Sequence, residues 1–366
     1  MVESRPNSPS TDQEFELETQ LLFGALCASQ YGNDLRRLGE IRRLGWASAD
    51  VDQHFRRERF QADYIKHDHT DELWCQSMHD SLKYMDYDNR RFVRTNRYLD
   101  IGCLPGGYST YVLRTCPNAV GMGISLPTEE GGHGYAIPQD VRHRIDVHLA
   151  DLTLFDLAPA MPKPDVPEPS GSCALACVLA PIPFALNSFD FVIGDAHNSR
   201  LHPDNELRPW SWTRLLISQV LLALHAVENN GTIFLKLSRV ECPLTARILL
   251  AFSRIAGYTH TIKSKMIHRK RGTFYLLARG IRVYSFEYRR FVAGLQKLWC
   301  IMTFGGDKGY GRDIKWVEQD LITPWKTVLS PNGVNKIAQL GVHMWRIQFG
   351  GLLKFLLNLG IEVHVD

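Results

Sequence analysis

From Glu14 to about Asp88, apolar residues return every three or four positions. The segments "EFELETQLLFGALCASQ" and "DELWCQSMHDSLKYM" carry this spacing, with "DVDQHFRRERFQADYIKH" between them. It predicts helices with an apolar stripe turned inward and a charged face in water. At Tyr98 the texture changes. Short apolar runs, "YLDIG", "AVGMGI", "HRIDVHLAD", "FDFVIGD", "GTIFLKL", "THTIKSKM" and "TFYLLARG", are interleaved with the helical patterns "GYSTYVLRTC", "WTRLLISQVLLALHAV" and "LTARILLAFSRIAG". This alternation predicts an α/β fold, a Rossmann-like, doubly wound and mostly parallel sheet. Ligands of such sheets sit beyond the carboxyl ends of the strands. Asp100, Asp151, Asp195 and Lys236 fall there.

Past about Ile281 the alternation stops. "FEYRRFVAGLQKLWCIM" and "NKIAQLGVHMWRIQFGGLLKFLLNLG" read as helices separated by the turn "FGGDKGYGRD". The expected organisation is a disordered N-terminus over 1–14, a helical region over 15–94 and a ligand-binding domain over 95–282. A proline-rich insertion falls at about 158–183, and a helical extension over 283–366 packs on the core or binds a partner.

The first apolar run of the alternating region ends in a glycine-rich loop, "YLDIGCLPGGYST". An acid-ended strand, a turn built on Gly102, Gly106 and Gly107, and a helix can present backbone N–H groups to a ligand. A plain strand–helix turn is the other reading. The spacing is neither GxGxxG nor a Walker loop, and no GK[ST] follows, which disfavours a phosphate cradle.

Composition narrows the class. The chain has 366 residues, 45% hydrophobic and 22% charged, with a net charge of +3. That suits a globular protein with a sizeable core, and any nucleic-acid surface must come from local clustering of cations. None of the eight cysteines forms a CxxC pair, and no HExxH, carboxylate cluster or metal-type histidine spacing is present, so no metal is expected. No GxSxG elbow is present either. The N-terminus lacks a signal-like apolar stretch. The most apolar run, "CALACVLAPIPFAL", is too short to span a bilayer and is broken by Pro181 and Pro183. The expectation is a reduced, intracellular protein, cytoplasmic or nuclear, without a membrane segment.

These residues also carry a resemblance. "YLDIGCLPGGYSTYVL" resembles the S-adenosylmethionine loop of the FtsJ-like ribose 2′-O-methyltransferase family. The likeness continues in order through "VHLADLTLFD", "FDFVIGDAHNSR", "NGTIFLKLSR" and "TIKSKMIHRKRGTFYLLARG", over about residues 98–280. It implies S-adenosylmethionine as cofactor, held by Asp100, Gly102, Cys103, Pro105, Gly106, Gly107, Tyr108, Ser109, Asp151, Leu152 and Asp195. It also implies a catalytic set with Lys236 as general base, Asp195 as its orienting acid, and an upstream lysine for which Lys83 is the candidate by position. The bare residues allow another role for Asp195 and Lys236, a buried ion pair holding adjacent strands.

Two positions depart from the family pattern. With the tyrosine of the last hairpin placed on Tyr275, Thr273 stands where the family has a glutamate. At the end of the second strand, Ile124 or Ser125 stands where members place a ribose-binding acid.

The resemblance implies an RNA substrate, and the basic run "KSKMIHRKRG", with cations from Lys263 to Arg271, could neutralise its phosphates; a solvated loop is the other reading. Tyr108, Trp210 and Trp212 are candidate stacking residues, and the tryptophans equally suit core or helix-cap packing. A methyltransferase of a small hydroxylated metabolite, or a non-catalytic descendant that binds cofactor or a partner, remains open on the same residues. The oligomeric state is not legible.

Overall fold

Seven strands form one sheet in the order β3-β2-β1-β4-β5-β7-β6. They are β1 (Arg97–Ile101), β2 (Val120–Ser125), β3 (Ile145–Leu149), β4 (Phe189–Gly194), β5 (Val227–Ser238), β6 (Ala256–Ile262) and β7 (Thr273–Ile281). All neighbours are parallel except β7, which runs antiparallel to β5 and β6. The computed structural model describes residues 11–64, 70–163, 179–197, 209–307 and 309–364. Most of the segment expected to be disordered, and residues 164–178 of the proline-rich insertion, lie outside these.

The central strands are continuous apolar runs because both faces of the sheet are covered. On one face lie α4 (Thr70–Asp88) and α5 (Gly107–Thr115). Beneath them a cluster that includes Leu82, Met85, Phe92, Tyr108, Phe191, Phe234 and Tyr275 is buried. On the other face lie α6 (Ser211–Ala226) and α7 (Pro243–Ile255). A further layer packs outside these, formed by α1 (Thr11–Ala28), α2 (Asn33–Trp46), α3 (Ala49–Tyr64), α8 (Phe286–Phe304) and α9 (Pro331–Asn358).

This third layer explains α7, which is buried on nearly every side, as a helix apolar all round must be. Arg247, on its outer side, is fully buried and binds the Glu18 carboxylate through both terminal nitrogens, at 3.0 and 2.9 Å. Asp320 accepts a third bond from it at 3.2 Å. The N-terminal helix and the region after α8 are thus tied to the sheet through one guanidinium. Among the described residues, no helix is long and apolar enough to cross a membrane.

Candidate active site

The strand order reverses between β1 and β4, which makes that crevice the switch point where ligands bind in doubly wound sheets. The loops that leave the two strands touch there. Asp195 and Ala196 donate their N–H groups to the Ile101 carbonyl at 2.9 and 3.1 Å. The Ala196 N–H also reaches Gln219 Oε1, at 2.6 Å.

The glycines of the loop have a use that the sequence pattern did not reveal. Gly102 has φ +83°, and a Cβ on it would stand 2.6 Å from the Ala196 backbone. Gly106 has φ +113°, and its Cβ would stand 2.1 Å from the Ile137 side chain. At Gly107 the obstacle is the Cys75 carbonyl, at 2.3 Å. These positions need glycine for left-handed backbone and for close packing of protein on protein. Gly102 and Cys103 give their N–H groups to the Ile124 carbonyl, and the Leu104–Pro105 peptide is cis.

Asp100 is buried at the end of β1. Ser109 donates to its Oδ2 at 2.6 Å, while its Oδ1 has no hydrogen-bond partner. Burial, with the Asp195 charge adding to it against the Ser109 bond, pushes the Asp100 carboxyl up to about 7. At the third strand end, Asp151 caps the turn Leu152–Leu154 by accepting the Thr153 N–H at 2.8 Å, and Leu152 is buried.

Asp195 and Lys236 meet. The Lys236 ammonium donates to the Asp195 carbonyl at 2.5 Å and lies 3.2 Å from Asp195 Oδ2. The other carboxylate oxygen, Oδ1, accepts from the Tyr275 hydroxyl at 2.8 Å, and Tyr275 Oη accepts from Tyr108 at 2.7 Å. Tyr275 is stacked on Phe234 with 4.6 Å between ring centroids. A buried chain of polar groups therefore runs from α5 through β7 to the strand-end acid and the lysine. Tyr108 belongs to this chain and is buried, so it is not a base-stacking surface. Trp210 donates to the Met302 carbonyl, and Trp212 is exposed.

Lys83 is not brought to this group. It is exposed on α4 and lines a cleft with Arg94 and Thr95, which precede β1, and with Thr115 and Cys116, at the end of α5. Arg94, Thr95, Thr115 and Cys116 mark the amino end of the strands, whereas Asp195 and Lys236 lie at the carboxyl end.

Two members of the basic run, read from the sequence only as possible phosphate contacts, are held at this end of the hairpin. His268 has left-handed backbone, φ 59°. Burial, with the Lys236 charge adding to it, pushes its imidazole down to about 4, so it is neutral at physiological pH. Lys263 is buried and donates to the carbonyls of Arg271 and Thr273, at 2.6 and 2.5 Å. Burial and the nearby Arg42 lower it to about 7.

Most of the basic run is engaged inside the molecule. Glu58 of α3 takes Lys270 at 3.0 Å and Arg271 at 2.8 Å, and Lys265 pairs with Asp88 at 3.3 Å. Gln348 of α9 donates to the Lys270 carbonyl at 3.3 Å. Among the described residues, no group of three or more His, Cys, Asp or Glu is placed to hold a metal.

The site suits a cationic cofactor on one observation of its own: Asp100 Oδ1 is a buried acceptor without a donor, beside a second carboxylate. Such a pair favours an ammonium or sulfonium over a phosphate. The fold is Rossmann-like, and the residues at its strand ends suit a sulfonium cofactor such as S-adenosylmethionine. The model of the FtsJ-like methyltransferase family matches residues 81–281, more than half of the chain, and the protein belongs to that family.

Solved structures to which the chain is similar include a protein from Plasmodium falciparum described as a ribosomal RNA methyltransferase. It is 19% identical, with 55% of this chain and 96% of that one covered and a TM-score of 0.33. Phosphoethanolamine N-methyltransferase 1 of Haemonchus contortus is 13% identical, with 69% and 53% covered and a TM-score of 0.38. The N-methyltransferase NodS of Bradyrhizobium japonicum is 11% identical, with 58% and 99% covered and a TM-score of 0.32. No curated protein matches the chain.

Proposed function

We propose that the protein methylates a ribose 2′-hydroxyl of RNA. The observation that carries this reading is the Asp195–Lys236 pair at the switch point, 3.2 Å apart and braced by Tyr275. Asp100, the loop from Gly102 to Ser109, Asp151, Leu152 and Asp195 would hold the cofactor. When bound, S-adenosylmethionine supplies a methyl group activated by a positively charged sulfur.

The protein's part is to orient and to manage one proton. Lys236 would take the proton of the attacking hydroxyl as the methyl group is transferred to that oxygen. The ammonium that results is met by the Asp195 carbonyl and Oδ2, a charge-assisted arrangement. Tyr275 fixes the carboxylate by holding Oδ1. The family glutamate has no counterpart at Thr273; neutral His268 and the carbonyl-held Lys263 occupy this end of the hairpin instead.

The test is a labelled-methyl assay with S-adenosylmethionine against total RNA and a small-molecule extract, followed by nucleoside analysis. Label in alkali-resistant 2′-O-methyl nucleosides, lost in Lys236→Ala, is the expected result. Label only in the small-molecule fraction would replace RNA with a hydroxylated metabolite.

A further inference from the structure

The cleft that holds Lys83 has a composition that the proposed reaction does not use. Its volume is about 960 Å³, at the upper end of the range for ligand clefts. It lies between the C-terminal half of α4, the end of α5 and the segment leading into β1.

Its two acids are satisfied from within. Asp86 is buried and accepts from the Val93 N–H and the Tyr111 hydroxyl, both at 2.7 Å. Asp80 accepts from the Gln76 amide and bonds the His79 imidazole, both at 2.9 Å. Its three cations are not matched in this way. Among the described residues, no carboxylate lies within ion-pair distance of Lys83, Arg91 or Arg94. The cleft thus presents net positive charge, in contrast to the run Lys263–Arg271.

The backbone that sets these cations is unusual. Arg90 and Arg91 are consecutive non-glycine residues with left-handed φ, 64° and 49°, a conformation that costs free energy and persists only where the surroundings enforce it. The turn is enforced by the Asp86 carbonyl, which accepts from Asn89 and Arg91. Aromatic faces accompany the charge. Tyr87 is 71% exposed, with the Arg91 guanidinium 5.7 Å from its ring centre, and Tyr84 lines the same cleft. Cations without a salt-bridge partner beside the exposed Tyr87 and the half-buried Tyr84, which has Lys265 over one face at 5.5 Å, match a strand with phosphates on one side and unstacked bases on the other. An A-form duplex hides its base faces and would leave the tyrosines unused. The cleft also adjoins the β6–β7 hairpin loop, because Ser81 donates to Ser264 at 2.8 Å and Lys265 pairs with Asp88.

We propose that this cleft binds a single-stranded segment of the RNA substrate away from the target nucleotide, its phosphates on Lys83, Arg91 and Arg94 and its bases on Tyr84 and Tyr87. The inference rests on the RNA reading of the reaction and adds where the strand is gripped.

The test measures binding of a short labelled single-stranded RNA of mixed sequence, its duplex, and phosphatidylserine vesicles to the full chain across a salt series. The variants are Arg91→Gln/Arg94→Gln and Tyr87→Ala, and calorimetry with S-adenosylmethionine checks their fold. The double variant should bind the single strand about tenfold more weakly at moderate salt. Its log–log salt slope should fall by about 1.4, from about 0.7 for each lost phosphate contact. Tyr87→Ala should lose about fivefold or more, with little change in slope. Unchanged affinity and slope in both variants, an equal grip on duplex, or binding to vesicles and not to RNA would each overturn the proposal. Groove-dependent RNA binding without methyl transfer to RNA would uphold the cleft and sink the proposed reaction instead.

Discussion

Lys236 and Tyr275 are register partners on the antiparallel strands β5 and β7, and both reach the same residue, Asp195. The antiparallel return of β7 is what sets a hydroxyl opposite the lysine. Removing either group should therefore affect the reaction in a different way. Lys236→Met should lower kcat by about 100-fold or more, the usual worth of a general base, while leaving calorimetric cofactor binding in place. Tyr275→Phe keeps the stack on Phe234 but frees the carboxylate, and should cost about tenfold in kcat with KM little changed. Full activity in Lys236→Met would remove it from the mechanism.

Asp100 gives a pH signature. Its carboxyl is raised to about 7 in the fold, against about 3.9 in an unfolded chain. Between those values the native state holds the extra proton, so this group's contribution to stability is full below about pH 4 and is lost as pH rises through about 7. Asp100→Asn removes the titration and can keep the Ser109 bond. In urea unfolding, the variant should gain on the parent by a few kcal/mol, as an order of magnitude, across that window. A stability difference that does not change with pH would show that Asp100 ionises normally.

Gly106 tests the packing account of the loop. Alanine there adds a methyl group aimed at Ile137 in left-handed backbone, and should destabilise the fold by about 1–3 kcal/mol. The companion Gly106→Ala/Ile137→Ala relieves the collision but not the backbone strain. It should recover part of the midpoint shift caused by the glycine change alone, once the separate cost of Ile137→Ala is subtracted. A neutral Gly106→Ala would mean that the loop is not held as described.

Arg247 makes the N-terminal helix measurable. Glu18→Ala leaves a buried guanidinium with only Asp320, and should cost about 3–5 kcal/mol. Glu18→Ala/Arg247→Met removes the charge with its partner and should be milder in thermal and urea unfolding. If the single and double variants unfold alike, the ion pair does not anchor α1.

The sheet was legible because its central strands, β1, β4 and β5, are apolar runs with polar residues at or just beyond their carboxyl ends, and Asp100, Asp195 and Lys236 could be read straight from those ends. The helical texture before Tyr98 and after Ile281 was legible too. What local pattern does not carry is who meets whom across the chain. Nothing around Lys270 or Arg271 announces Glu58, so the run looked open. Nothing around Tyr108 tells that its hydroxyl turns inward to Tyr275. The glycines pointed to close approach, but the approaching groups are Ala196, Ile137 and Cys75. Lys83 matched by position alone, and α4 turns it out to the surface, into a cleft with Arg94 and Thr95.

The grip of α3 and α9 on the β6–β7 loop couples the outer helical layer to the candidate site. Gly351 packs against the Arg269 backbone, and Phe355 lies 4.4 Å beneath the Lys270 ammonium. Those contacts reach the loop from a helix that lies about 80 residues further along the chain. The loop beside the Asp195–Lys236 pair is therefore shaped by the outer helical layer as well as by the sheet that carries the pair.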